Sequence, residues 1–192
     1  MARRDDGTRP LTAGQWEDLE ELFGSRGACG GCWCMWWRLP RSAFNAGKGD
    51  SNHAAFRRIV ESGEVPGVLL YEENRPVGWC SVAPRERFPV LARSRALPLI
   101  DDADPWSVVC LFVRKDRRRR GTSIKLLRAA ADHAAANGAE VLEGYPVVPR
   151  TGSMPDAFAW TGTVPAFRAA GFSEAARGPT GRPIMRRWLA QA

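Results

Sequence analysis

Residues 108–138 read VVCLFVRKDRRRRGTSIKLLRAAADHAAANG, and the order of the parts in this stretch decides the fold. VVCLFV (108–113) is a short, unbroken apolar run rich in β-branched residues, the pattern of a strand buried on both faces. SIKLLRAAADHAAANG (123–138) has the period of a helix. Ile124, Leu127, Ala131 and Ala134 fall on one face, and Lys125, Arg128 and Asp132 on another. Thr122 or Ser123 is placed to cap its start, and Asn137-Gly138 to end it. EVLEGYPVV (140–148) then supplies another strand, completing a β-α-β unit. Between strand and helix lies RKDRRRRGTS (114–123), with six basic side chains, one aspartate and one glycine in ten positions.

A basic run can clamp nucleic acid, address a protein to a compartment, decorate a solvated loop or hold an anion. Its position selects among these. A targeting signal or nucleic-acid tail belongs in an exposed segment, whereas this run is held between two core elements. A helix start presents unpaired backbone N–H groups and the positive end of the macrodipole, and Gly121 lets a ligand approach the main chain. Successive N–H groups there form a nest suited to a pyrophosphate. No reading helix or aromatic-studded basic strand accompanies the run, so nucleic acid is not the expected partner.

The chain of 192 residues fits one domain, 1–192, in which residues 1–50 form an N-terminal helix plus a Cys/Trp-rich loop. With 44% hydrophobic and 26% charged residues it has the composition of a globular protein. Its longest apolar run is about six residues, far short of the ~18 a membrane span needs. Arg3-Arg4 resembles the start of a twin-arginine signal, but the LTAGQWEDLEELF that follows is acidic and amphipathic, so a cytoplasmic location is expected. The net charge of +7 rests on arginine, and the arginine and alanine bias fits a GC-rich bacterial genome. Residues 101–192 carry 14 basic and 9 acidic groups against 14 and 12 in residues 1–100, which favours an anionic ligand in the second half.

Elsewhere, TAGQWEDLEELFG (12–24) has a capping-box start at Thr12 and Gln15 and a glycine stop. DSNHAAFRRIVESG (50–63) reads as a second helix capped by Asp50 or Ser51, and GVLLYEENRPVGWCSV (67–82) as a hairpin turning at Glu73–Pro76. Residues 84–105 form a polar connection with a helical turn near Arg87–Arg93.

With these elements in this order, the chain resembles the GNAT superfamily of acyl-CoA-dependent N-acetyltransferases. That family carries Gln/Arg-x-x-Gly-x-Gly/Ala between a buried strand and a helix. Here it stands as Arg118-Arg119-Arg120-Gly121-Thr122-Ser123, five positions after Val113. RPVGW (75–79) is similar to the end of the family's central hairpin and FRAAGF (167–172) to its helix-then-Gly-Phe signature, so the likeness spans about residues 55–189.

The resemblance implies an α/β (α+β) fold with a mixed, mostly antiparallel sheet and helices on both faces. It implies acetyl-CoA as cosubstrate. The backbone of Arg119, Arg120, Gly121, Thr122 and Ser123 would hold the pyrophosphate, helped by Arg118 or Arg120. The main chain of Leu111, Phe112 and Val113 would run beside the pantetheine arm like a neighbouring strand, with a bulge aiming one N–H at the thioester carbonyl. The partner would be an amine of a small molecule or peptide, attacking directly in a ternary complex, and a homodimer is compatible with the family. A catalytically silent acyl-CoA-binding module and a nucleic-acid-binding protein are the other readings.

The sequence departs from the pattern in three places. Ser123 replaces the last motif glycine. Phe167 stands where the family often has a tyrosine that protonates the leaving thiolate. The strand 106–113 carries no carboxylate where some members keep a base. For proton transfer the candidates are Glu143 and Tyr145, two residues apart and so on one face of a strand; the alternative is a solvated Glu143 and a core Tyr145. Asp101, Asp102 and Asp104 could instead greet a cationic acceptor, while His53 and His133 read as surface residues. Cys29, Cys32 and Cys34 have C-x-x-C-x-C spacing, with Cys80 a conceivable fourth ligand, but no second well-spaced pair follows. Reduced, metal-free thiols are expected. The adjoining Trp33, Trp36 and Trp37 either line a flat acceptor site or pack in the core.

Overall fold

The computed structural model describes residues 7–148 and 159–190; the Arg3-Arg4 pair and the two ends of the expected domain lie outside the described residues. Seven strands among them form one sheet: β1 (Gly7–Pro10), β2 (Gly67–Glu72), β3 (Arg75–Pro84), β4 (Trp106–Val113), β5 (Val141–Gly144), β6 (Ser173–Arg177) and β7 (Pro183–Trp188). Their order is β1-β2-β3-β4-β5-β7-β6. Every pairing is antiparallel except β4 with β5. The helices are α1 (Trp16–Phe23), α2 (Arg41–Ala46), α3 (Asp50–Glu61), α4 (Pro89–Ala92), α5 (Thr122–Ala136) and α6 (Val164–Ala169).

Strand alternation distributes the core over both faces of the sheet. Val68, Leu70, Val77 and Val82 pack with Leu126, Leu127 and the alanines of α5 and with Phe167 of α6. On the opposite face Leu69, Tyr71 and Trp79 pack with Trp16, Leu19 and Phe23 of α1 and Phe56 and Val60 of α3. A third cluster joins Val109, Ala83, Tyr145 and Ile184 to Phe88, Leu91 and Leu97 of the connection after β3. Gly78 explains how closely α5 seats: a Cβ there would lie 2.8 Å from Leu126 Cδ1.

The β2–β3 hairpin turns through only two residues, Glu73 and Asn74, at φ 53° and 60°. That is the primed geometry whose twist matches the flanking strands, so Arg75 and Pro76 already belong to β3. The strand-to-helix unit at 106–144 is as expected, but three helix starts differ. Gly49, at φ 91°, precedes α3 in place of an Asp50 or Ser51 cap, and Gly121, at φ 76°, precedes α5 in place of Thr122 or Ser123. Thr122 instead turns its hydroxyl back to donate to the Arg117 carbonyl at 2.7 Å, bracing the loop. At α1, Thr12 Oγ1 donates to Gln15 Oε1 and residues 13–15 form a short turn of tighter helix.

Two irregularities shape β4. Ser81 pairs with Cys110 and Val82 with Val108, so Val109 is one residue too many on β4: a bulge. Beside it the parallel pairing with β5 covers only Trp106–Val108 against Leu142–Gly144. Beyond Val108 the two strands part, and the edge of β4 from Val109 to Val113 is left without a strand partner on that side.

Candidate active site

The parting of β4 and β5 opens a cleft of about 390 Å³ that continues to the start of α5. Leu111, Phe112 and Val113 wall it from the strand; Arg118, Arg119, Gly121, Thr122 and Ser123 wall it from the loop and helix start. Arg120, expected with them, is exposed and off the wall. The N–H of Arg114 donates to Val77 of β3, so by strand alternation the main-chain groups of Val113 face the open side. Leu111 N–H, on the same side, donates to the Trp160 carbonyl at 2.6 Å, and the Val113 carbonyl accepts from Arg118 Nε at 3.0 Å.

At the other end, the first amides in the helix ladder are Ile124 and Lys125, both bonded to the Gly121 carbonyl. The amides of Gly121, Thr122 and Ser123 precede that ladder, as the first N–H groups of any helix do. A side chain at Gly121 would meet nothing within 4 Å, so the space beside its main chain is open. Part of the arginine run is spoken for. Arg114 holds Asp116 at 2.7 Å and Arg117 holds Glu73 at 2.6 Å, which leaves the run less free charge than its composition suggests.

Glu143 and Tyr145 do come together, but behind the cleft wall rather than on it. Both are 1% exposed. The Tyr145 hydroxyl donates to Glu143 Oε2 at 2.7 Å and accepts from Arg85 Nη1 at 2.6 Å, with Ser107 Oγ 2.9 Å away. Arg186 Nε donates to Glu143 Oε1 at 2.8 Å, and the same guanidinium grips both oxygens of Asp101. The solvated Glu143 is thereby excluded: a buried carboxylate between two arginines is compensated, as burial requires. Burial pushes the Tyr145 phenol well above its ordinary pKa, and the neighbouring Glu143 charge adds to this. Asp101 is therefore tied to the sheet rather than free to greet an acceptor; its bond to Arg186 holds its carboxyl below the usual range.

Of the Cys/Trp-rich loop, only Ala28 and Cys29 reach the cleft. Trp33 and Trp37 are core residues, Trp33 between Trp16, Phe23 and His53; Trp36 is half-buried under Arg41, edge-on to Trp160. Phe167 is fully buried, its ring filling the space beside Gly144 and Gly162. The histidines are not plain surface residues. His53 pairs with Glu20 at 2.6 Å, and half-buried His133 meets the Trp106 ring edge-on. All five cysteines are free, and among the described residues no three His, Cys, Asp or Glu side chains are placed to hold a metal. Ala159, Trp160, Gly162 and Thr163 complete the cleft. They escaped sequence reasoning because no motif marks them; only the parting of the strands brings that loop to β4.

Residues 33–153, more than half of the chain, match the model of the acetyltransferase (GNAT) family, and the chain belongs to that family. The fold recurs in solved structures. YncA from Salmonella typhimurium, solved with its cofactor acetyl-CoA, has a TM-score of 0.55 at 14% identity over 98% of this chain and 96% of that one. A GNAT-family protein from Desulfovibrio desulfuricans gives 0.54 at 14% identity over 97% and 100%. The PaiA N-acetyltransferase of Thermoplasma acidophilum, solved with coenzyme A, gives 0.51 at 13% over 96% and 99%. No curated protein matches the chain. No helix among the described residues is long and apolar enough to cross a membrane.

Proposed function

We propose that the chain is an N-acetyltransferase that moves an acetyl group from acetyl-CoA to an amine of a small molecule or peptide, by direct attack within a ternary complex. One observation carries this reading: a single cleft joins an unpaired strand edge to a helix start flanked by arginines. A long ligand that is amide-like along one part and anionic at the other suits such a cleft, and acetyl-CoA is such a ligand. The amides of residues 119–123 and the Arg118 and Arg119 side chains would hold its pyrophosphate. The edge of Leu111–Val113 would take the pantetheine arm, which exchanges for the Trp160 carbonyl now on Leu111 N–H.

The cosubstrate brings an acyl group already activated as a thioester. The chain's share is to position the amine, to steady negative charge on the carbonyl oxygen with an amide at the Val109 bulge, and to handle one proton. For the proton we propose the Glu143–Tyr145 pair, since Tyr145 shares a core cluster with Val109, the residue at the bulge. A silent acyl-CoA-binding module is the second reading, favoured by the absence of a hydroxyl at Phe167.

Thiol release from acetyl-CoA across a panel of small amines and peptide N-termini separates the two. The enzyme reading expects acceptor-dependent release and an acceptor heavier by one acetyl group. Tight acetyl-CoA binding with no release on any amine supports the module instead.

A further inference from the structure

Cys34 of the C-x-x-C-x-C stretch has no part in the acetyl-transfer scheme, yet it lies beside Cys110 of β4. In the β3–β4 register Trp79 pairs with Phe112 and Ser81 with Cys110, so Trp79 and Cys110 point to the same face of the sheet. Over that face Trp79 Nε1 donates to Cys34 Sγ at 3.0 Å. Cys110 packs on the core cluster that contains Cys34, and Cys34 lies close enough to be the first cause of the raised Cys110 pKa. Cys80 pairs with Leu111 and belongs to the cluster on the opposite face, so it is not a competitor.

The loop delivers Cys34 by an unusual route. Trp33 and Cys34 are consecutive residues in the left-handed region, at φ 42° and 55°. Side chains with a Cβ adopt that region sparingly, and such backbone persists only where the surroundings fix it. Cys34 is 5% exposed and Cys110 half-buried. The neighbouring Cys34 and then burial raise the Cys110 pKa, which keeps the proton on Cys110.

We propose that Cys34 and Cys110 are a thiol–disulfide pair, closed by hydrogen peroxide and reopened by small thiols. One sulfur takes an oxygen from peroxide, giving a sulfenic acid and one water; the other sulfur displaces the hydroxyl as a second water. Two thiols thus lose two electrons and two protons, and one peroxide becomes two waters. The bond ties the loop bearing Ala28 and Cys29 to the strand bearing Leu111–Val113, two of the segments that wall the cleft. This inference stands whether or not the chain acetylates amines.

The test uses the full chain, reduced and freed of reductant, treated with hydrogen peroxide without denaturant. Free thiols are then blocked in denaturant and the digest is read by mass spectrometry. The expected product is a Cys34 peptide joined to a Cys110 peptide, lighter by two hydrogens, separated again by dithiothreitol, with Cys80 blocked as a free thiol. Both residues recovered as blocked thiols after peroxide has been consumed would overturn the proposal. So would a joined peptide that forms only when peroxide is added in denaturant. In Cys34→Ser, with its fold checked by circular dichroism, Cys110 should be recovered unpaired. An equal yield of a Cys32–Cys110 peptide there would show that the native contact does not select the pair.

Discussion

Tyr145 shows at the scale of one residue how burial changes a role read from sequence. Its two-residue spacing from Glu143 placed both on one face, and the structure joins them by a hydrogen bond. Spacing could not reveal Arg85, Ser107 and Arg186, which come from other parts of the chain and hold the pair off the cleft wall. If the pair handles the proton, Tyr145→Phe removes one hydroxyl and keeps the ring. Turnover should then fall by about 10²–10⁴ while acetyl-CoA affinity stays nearly unchanged, the signature of an interaction felt in the transition state. Steady-state kinetics beside calorimetric binding reads both. Near wild-type turnover in Tyr145→Phe and Glu143→Gln alike removes the assignment and leaves the two residues as a brace between β4, β5 and β7.

At the scale of elements, long periodic segments were legible and short ones were not. VVCLFV and the alanine-rich segment after Gly121 announced β4 and α5 because each carries its period over enough residues to be unambiguous. β1, with four residues and no apolar alternation, and α2, six residues after a proline, exist through tertiary pairing and left no such trace. The caps of α3 and α5 were misread for one reason: the glycine ahead of the polar residue took the cap position, with a positive φ that the polar residue would adopt less readily. His133 on α5 gives a prediction at this scale. Burial against Trp106 lowers its pKa from the ordinary 6.5, so the folded chain binds this proton less readily than the unfolded chain. Stability from this group is therefore unchanged above about pH 7 and is lost as pH falls below its unfolded value. Urea midpoints of the wild type should drop more between pH 7.5 and pH 5.5 than those of His133→Leu. Equal drops in the two proteins contradict the burial effect.

Over the whole molecule, the arginine run takes its meaning from the fold around it. The strand before it parts from its neighbour at a bulge, the helix after it begins at a left-handed glycine, and ion pairs within the run and to the hairpin consume part of its charge. The end of the cleft at β4 and the start of α5 was legible because one continuous stretch builds it. The rest of the cleft was not, because Cys29 and Trp160 arrive from loops that carry no motif to bring them to β4. The central claim is that this cleft binds acetyl-CoA, and calorimetric titration of acetyl-CoA into the wild type, Arg118→Ala and Gly121→Val tests it directly. One site is predicted in the wild type. Losing a charge-assisted hydrogen bond costs ~1.5–3 kcal/mol, so Arg118→Ala should weaken binding by roughly 10–150-fold. Gly121→Val should weaken it further, since a β-branched residue is strained at φ 76° and its side chain would stand in the open space beside the loop. Wild-type affinity in a Gly121→Val protein whose circular dichroism shows an intact fold would contradict the cradle, and an absence of heat in the wild type would contradict the whole.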